Sequence, residues 1–392
     1  MDFAIQQEPT TDVVITTVAA KLAGTTYSAS PDYNEMVFLL LQQAATGGDT
    51  ASMSKLGAMY ASGDGVPKDY SRALVFLRRA AGRNDPLALY NLGVMYTRGY
   101  GGSPDPAQAF QCYLKASRLG QVDALCNLGY CYQNGLGCVR NLQLAFERYR
   151  AAAELGHAVA RSNCGYMKEL GLGTPVDIEE AFAYYRAASG GGCVEAAYNL
   201  GRLLIFSMTS HADFAAGREW LHKAGERGSG DAWNLLGCIE YKGHKMPRNY
   251  DRAREFFQKG AALGNPAATS NLGWLYQNGF GVERDMPKAI ACYEEAAAKQ
   301  YSGALCNLGY LLMLGQDMER DWARAAECFR AAMTLNNPTA LFNLALLHLH
   351  PESEFHDEQH ALALLKKAER AGVVEARDLL ATMIQDRSQP HA

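Results

Sequence analysis

The chain has 392 residues, 48% of them apolar, and a formal net charge of −4 from 37 basic and 41 acidic residues. That apolar share can bury a continuous core and is not the composition of a disordered chain. The two charge signs are interspersed with no basic stripe, which argues against nucleic acid as a partner, and the longest strongly apolar run, Met36 to Leu41, is far short of the roughly 20 residues that span a bilayer.

Asp2, Glu8 and Asp12 precede the first lysine, Lys21, so the start resembles neither a secretory leader nor an Arg-rich transit peptide. Residues 1–12 are polar and patternless and are expected to be disordered. Asp12 to about Leu22 reads as a weak helix, and Pro31-Asp32 opens a clearer one through Ala45. Within it Val37, Leu41 and Ala44 fall one period ahead of Ala73, Leu77 and Ala80. Residues 13–48 therefore read as a degenerate helix pair that caps a repeat array.

From residue 49 to 372 one pattern returns without insertion or deletion. A Leu-Gly glycine or its equivalent sits at Gly57, Gly93, Gly129, Gly165, Gly201, Gly237, Gly273, Gly309 and Ala345, which is eight steps of 36 residues. Twelve residues later stand Asp69, Asp105, Asn141, Asp177, Asp213, Asn249, Asp285, Asp321 and Asp357. Four further on come Ala73, Ala109, Ala145, Ala181, Gly217, Ala253, Ala289, Ala325 and Ala361. Three landmarks keeping one period over nine repeats predict a stacked array with no globular boundary inside it.

The second repeat shows the elements. A first helix (A) is expected from Pro86 to Arg98, with Ala88, Leu89, Leu92, Met95 and Tyr96 on one face at helical spacing. Gly93 lies mid-helix, where it costs about 1 kcal/mol relative to Ala, so the partner helix is expected to press its backbone close there. Gly99 and Gly101 end the helix and permit positive φ in the loop. Asp105 is placed to cap a second helix (B) by accepting from free backbone N–H groups. Ala109, Tyr113 and Ala116 form the inner face of that helix, and small residues on both helices let the pair sit close. The middle of the chain departs from this: Ser207 and Thr209 replace the loop glycines of the fifth repeat, Glu240 and Lys245 enter the sixth, and Asp317 enters the eighth. His350 to Glu354 replaces the ninth loop, and residues 373–392 read as a closing helix with a frayed tail.

The phrase Ala-x-x-Asn-Leu-Gly-x-x-Tyr, followed by Gly-x-Gly, Asp, Ala, an aromatic and Ala-Ala, resembles the Sel1-like repeat family; the best matches are Ala88–Ala116, Ala124–Ala152 and Ala268–Ala297. The resemblance implies an all-α fold, a right-handed α-solenoid of antiparallel helix pairs related to tetratricopeptide arrays. It also implies a non-catalytic scaffold or adaptor that binds proteins or peptide segments. If the register follows tetratricopeptide repeats, groove-facing positions lie three before the glycine and one, four and five after it. These give Tyr90, Arg98, Tyr130, Gln133, Asn134, Tyr166, Tyr198, Arg202, Lys242, Trp274, Gln277, Asn278 and Tyr310. Aromatic anchors beside amide and cationic groups suit an extended peptide or a helix laid in a groove.

A further row, Asn91, Asn127, Asn163, Asn199, Asn271, Asn307 and Asn343, stands two before the glycine. These amides either bind a ligand backbone or satisfy backbone groups in the turn between repeats, since a buried polar group needs a partner. His348, His350, His356 and His360 gather near the end, but their spacing matches no known zinc motif, and no metal is assigned. The glycine clusters at 99–102 and 190–192 lack the strand, helix and lysine that cradle a phosphate, and no nucleophile sits in a recognisable catalytic setting. The ten cysteines show no tight, even framework and read as reduced thiols of a cytoplasmic protein. No cofactor, membrane span or small-molecule substrate is expected. The second reading is an assembly subunit docked in a large, possibly organellar, complex through its outer surface.

Overall fold

The computed structural model describes residues 31–207, 213–315 and 318–388, and every regular element among them is helical. The expectations for residues 1–12, for the helix at Asp12–Leu22, for Thr209 and Asp317, and for the tail from 389 lie outside the described residues. The chain divides into two compact bodies, residues 1–193 and 194–392.

The first body opens with α1 (Pro31–Thr46) and continues with four hairpins. These are α2 (Thr50–Ser62) with α3 (Tyr70–Ala81), α4 (Pro86–Arg98) with α5 (Pro106–Arg118), α6 (Val122–Asn134) with α7 (Leu142–Glu154), and α8 (Ala158–Leu170) with α9 (Ile178–Gly190). The second body contains α10 (Val194–Phe206) with α11 (Phe214–Glu226), α12 (Gly230–Lys242) with α13 (Tyr250–Ala262), α14 (Pro266–Asn278) with α15 (Met286–Ala298), and α16 (Ser302–Leu314) with α17 (Trp322–Thr334). It ends with α18 (Pro338–Leu349) and α19 (Glu358–Arg370), then the closing helix α20 (Val374–Ser388). In each body every A helix packs on its own B helix, and each B helix on the next A helix. Some successive A helices also touch: α2–α4 in the first body, and α12–α14, α14–α16 and α16–α18 in the second.

Local chemistry sets these boundaries. Each residue of the Asp/Asn row caps its B helix, its side-chain oxygen accepting from the backbone N–H three residues on at 2.8–3.0 Å. A helices are capped as well, by Asp85 onto Ala88 N at 2.7 Å and by His157 onto Ala160 N at 3.1 Å. The second loop glycine has a packing role. A Cβ on Gly137 or Gly173 would collide with the carbonyl of Pro106 or Leu142 at the start of the preceding B helix. The residue between the two loop glycines meets that same helix start, as where Tyr100 stacks on Tyr70 at 4.7 Å and Phe280 on Tyr250 at 4.9 Å.

The mid-helix glycine is explained by a side chain more often than by backbone. A Cβ on Gly93 would lie 2.5 Å from the ring of Tyr113, on Gly129 2.7 Å from Tyr149, on Gly237 2.5 Å from Phe257 and on Gly309 2.7 Å from Phe329. Helix B thus lays a ring flat against the bare backbone of helix A. The expected backbone approach occurs in the fifth repeat, where Gly201 would meet the Gly217 carbonyl at 2.8 Å.

Candidate interaction surface

The ring on the glycine organises the next position. Tyr149 is fully buried, and its hydroxyl donates to Oε1 of Gln133 at 2.8 Å. Tyr293 does the same to Gln277 at 2.7 Å and Tyr185 to Glu169 at 2.9 Å, while Tyr113 lies 3.0 Å from the hydroxyl of Thr97. Each acceptor stands four residues after its glycine. Where helix B instead carries Leu77, Leu221, Phe257, Phe329 or Leu365, that position holds Ala61, Ile205, Tyr241, Met313 or Leu349. Each buried phenol thus comes with a hydrogen-bonding partner at this position, as the cost of a buried unpaired hydroxyl requires, whereas opposite a hydrocarbon the position is apolar except at Tyr241, whose hydroxyl serves Trp274. Burial raises the pKa of Tyr113, Tyr149 and Tyr293, so these hydroxyls stay protonated donors.

This corrects two expected groove residues: Gln133 and Gln277 are half-buried, and their amide oxygens are used inside the hairpin. Tyr90 is a third correction. It is 3% exposed and lies in the core, its ring centroid 6.0 Å from that of Tyr113. The position three before the glycine points along the stack toward the next A helix. From that helix Asn271 Nδ2 donates to Asn234 Oδ1 at 2.8 Å. Asn271 thus ties α14 to α12, where the sequence pointed to turn backbone or a ligand. Asn199 is buried, and Asn91, Asn163, Asn307 and Asn343 are half-buried.

The other expected groove residues reach solvent to differing degrees. Trp274 and Tyr310, one after their glycines on α14 and α16, are 39% and 40% exposed. Trp274 is held in place by its Nε1–H, which donates to the Tyr241 hydroxyl of α12 at 2.9 Å. Lys242, Asn134 and Asn278 are exposed, and the two asparagines donate back to the carbonyls of Tyr130 and Trp274 at 3.0 and 2.9 Å, fixing the last turn of α6 and α14. Tyr130 is half-buried against the core, as are Arg98, Tyr166, Tyr198 and Arg202. The second body thus presents an aromatic pair, Trp274 and Tyr310, with Lys242 and Asn278 on the A row. The first body presents Tyr130 and Tyr166 with Asn134 there.

A different set of exposed apolar side chains follows the B-helix ends: Leu119 and Leu155 in the first body, Leu263 and Leu335 in the second, between 36% and 62% exposed. These C-caps recur at one repeat position, a regularity the sequence reading missed although the 36-residue spacing displays it. Among the described residues no group of three or more His, Cys, Asp or Glu side chains could share a metal ion. Of the histidine cluster, His348 and His360 face each other with centroids 4.6 Å apart, His348 Nδ1 lies 2.5 Å from the Phe355 carbonyl, and His350 packs on Trp322. No disulfide joins the ten cysteines. Burial pushes the thiols of Cys131, Cys164 and Cys306 up to about 12 and those of Cys112 and Cys292 up to about 11, which leaves them small apolar fillers. No helix among the described residues is long and apolar enough to cross a membrane.

Hairpins of one length, one cap and one glycine-seated ring define a helical repeat protein. The model of the Sel1 repeat matches nine consecutive segments: 50–85, 86–121, 122–157, 158–193, 194–229, 231–265, 266–301, 302–337 and 338–373. The chain belongs to the Sel1-repeat family, and its fold is an all-α solenoid of these repeats. Repeats of this type are protein-interaction scaffolds, generally without catalysis. Two solved structures are similar. One is c5321, a protective antigen of uropathogenic Escherichia coli with an SLR fold, at 26% identity and a TM-score of 0.62, covering 90% of this chain and 75% of that one. The other is a Sel1 repeat protein from Oxalobacter formigenes, at 27% identity and a TM-score of 0.56, covering 78% of this chain and 91% of that one. No curated protein matches the chain.

Proposed function

We propose that this protein is a non-catalytic adaptor that holds a polypeptide against its A-helix row, with Trp274 and Tyr310 as anchors. One observation carries the reading: two large rings stand about 40% exposed on neighbouring A helices, one of them fixed by its own hydrogen bond. A side chain that spends no entropy on docking and retains unburied ring surface is suited to anchoring a partner. Lys242 and Asn278 beside them supply donors for a peptide backbone or acidic side chain. In the first body Tyr130, Tyr166 and Asn134 play the corresponding part with Arg98 as a flanking contact, and in the second body Tyr198 and Arg202 flank the A row. The reading includes a cytoplasmic location, in keeping with cysteines that are scattered and not joined in disulfides, and subcellular fractionation tests it. Replacing Trp274 with Ala tests the anchor: partner capture falls while helicity and melting temperature hold. Loss of fold would return the ring to a packing role.

The exposed leucines at the B-helix ends favour a second reading, a subunit docked permanently in a large assembly through its outer edge. Native size-exclusion of lysate separates the two. Elution in one stable large complex supports the second, and elution near the monomer supports the first.

A further inference from the structure

Two departures from the repeat meet on the A row of the second body. Tyr241 is the one ring found four residues after the repeat glycine, and Trp274 is the one tryptophan found one residue after it. They stand in consecutive repeats, and Nε1–H of Trp274 on α14 donates to the Tyr241 hydroxyl on α12 at 2.9 Å. The hairpin of Tyr241 explains why that oxygen is available. Where helix B seats a tyrosine on the glycine, the residue four after the glycine is taken up by the phenol, as Gln133 is by Tyr149 and Gln277 by Tyr293. In the sixth repeat the seated ring is Phe257. It has no hydroxyl, which leaves Tyr241 to a donor from the next repeat. The Tyr241 ring is also braced: its centroid lies 5.7 Å from that of Tyr250 and 6.2 Å from that of Phe280, and those two rings stack on each other at 4.9 Å. Tyr250 opens α13 and Phe280 follows α14, so two elements grip the acceptor.

This bond decides what Trp274 can offer a partner. An indole has one polar group, a donor, and here it is spent inside the protein. The ring is still 39% exposed, so the surface it presents is aromatic carbon. Neither α14 nor α16 carries a charged residue, and the exposed Lys242 beside Tyr241 disfavours a cation over the ring. An apolar side chain is the group that fits.

We infer that Tyr241 is the positioning residue of the anchor: it fixes Trp274 and takes up its N–H, so that the ring receives an apolar side chain of the partner. The inference rests on the adaptor reading above, and its test has two readouts that fail separately. The first uses the full-length protein with ¹⁵N-labelled indoles, the Trp274 signal being assigned by Trp274→Phe. In Tyr241→Phe, which keeps the braced ring and removes the acceptor, the Trp274 Nε1–H signal should shift, exchange faster with solvent and show a lower heteronuclear NOE, with helicity and melting temperature unchanged. An unchanged signal overturns the proposal. The second places a photo-crosslinking amino acid at Tyr310 in cells. Tyr241→Phe should lower the yield of polypeptide adduct about two- to tenfold, since binding must then immobilise a freed side chain. In a Trp274→Phe background, which lacks the N–H, Tyr241→Phe should have no further effect; an equal loss there shows that Tyr241 acts by another route and overturns the proposal. No adduct from the otherwise unaltered protein refutes the adaptor reading, while the indole signal still decides whether Tyr241 positions Trp274.

Discussion

Replacing a mid-helix glycine by alanine stabilises most helices, by about 1 kcal/mol; at Gly129 it should do the opposite. The added Cβ would sit 2.7 Å from Cδ1 and 2.8 Å from Cε1 of Tyr149, against a carbon contact of about 3.5–4.0 Å. The ring must retreat by nearly 1 Å, yet it is fully buried and its hydroxyl is held by Gln133. Overpacking of this kind costs about 1–3 kcal/mol, and two contacts to a pinned ring belong in the upper half of that range. Subtracting the propensity gain leaves a net loss of about 1–2 kcal/mol. Gly190, the last residue of α9 in the same body, is the control: nothing lies within 4 Å of a Cβ built there, so Gly190→Ala should be neutral or stabilising. Urea unfolding followed by circular dichroism, with hydrogen exchange over α6 and α7 to localise the loss, reads both variants. If Gly129→Ala gains stability as Gly190→Ala does, the ring-on-glycine account is wrong.

Four further outcomes follow from the same geometry. Gln133→Met should destabilise by about 1–3 kcal/mol because it strands the buried Tyr149 hydroxyl, and adding Tyr149→Phe should recover most of the loss; a double-mutant cycle without coupling contradicts this. Tyr90→Ala should cost about 3–5 kcal/mol as a core truncation, while Trp274→Ala changes unfolding little and acts on partner capture, as judged by melting curves and pull-down. Asp105→Ala should cost about 0.5–2 kcal/mol through loss of the cap on α5, seen as faster amide exchange at Ala107 and Gln108. The last prediction concerns pH. Burial holds the His348 pKa below its usual 6.5, so the unfolded chain binds the proton more readily and the ninth repeat loses stability as pH falls below about 6.5. Exchange protection over α18 and α19 should drop in that window, and His348→Leu, the residue at this position in the eighth repeat, should remove the pH dependence.

What the sequence disclosed and what it withheld divide along physical lines. Helix boundaries follow local rules: Asp105 caps the helix beginning at Pro106 whatever lies beyond it, and Gly99 at φ +69° ends α4 by its own freedom. Those features repeat every 36 residues, so they were legible. The direction of a ring is set by the neighbouring helix. Tyr90 and Trp274 both lie near the solvent boundary of an A helix by periodicity, yet Tyr90 packs inside on Tyr113 and Trp274 stays out. For Gln133 a signal was present but needed two helices read together: Thr, Gln or Glu four after the glycine accompanies Tyr sixteen residues further on. Asn271 needed the same step, since its partner Asn234 stands one repeat back. The charge of Glu240 was visible as a departure, while the convergence of Arg218 and Arg252 upon it required the fold.

The central claim is that the A-helix row carries the partner. A photo-crosslinking amino acid placed in turn at Trp274 and Tyr310, and at Val75 and Leu335 as outer-surface controls, tests it most directly in cells. The account predicts a polypeptide adduct from the two A-row positions and none from the controls. Adducts confined to Val75 and Leu335 would place the interface on the B helices and contradict it.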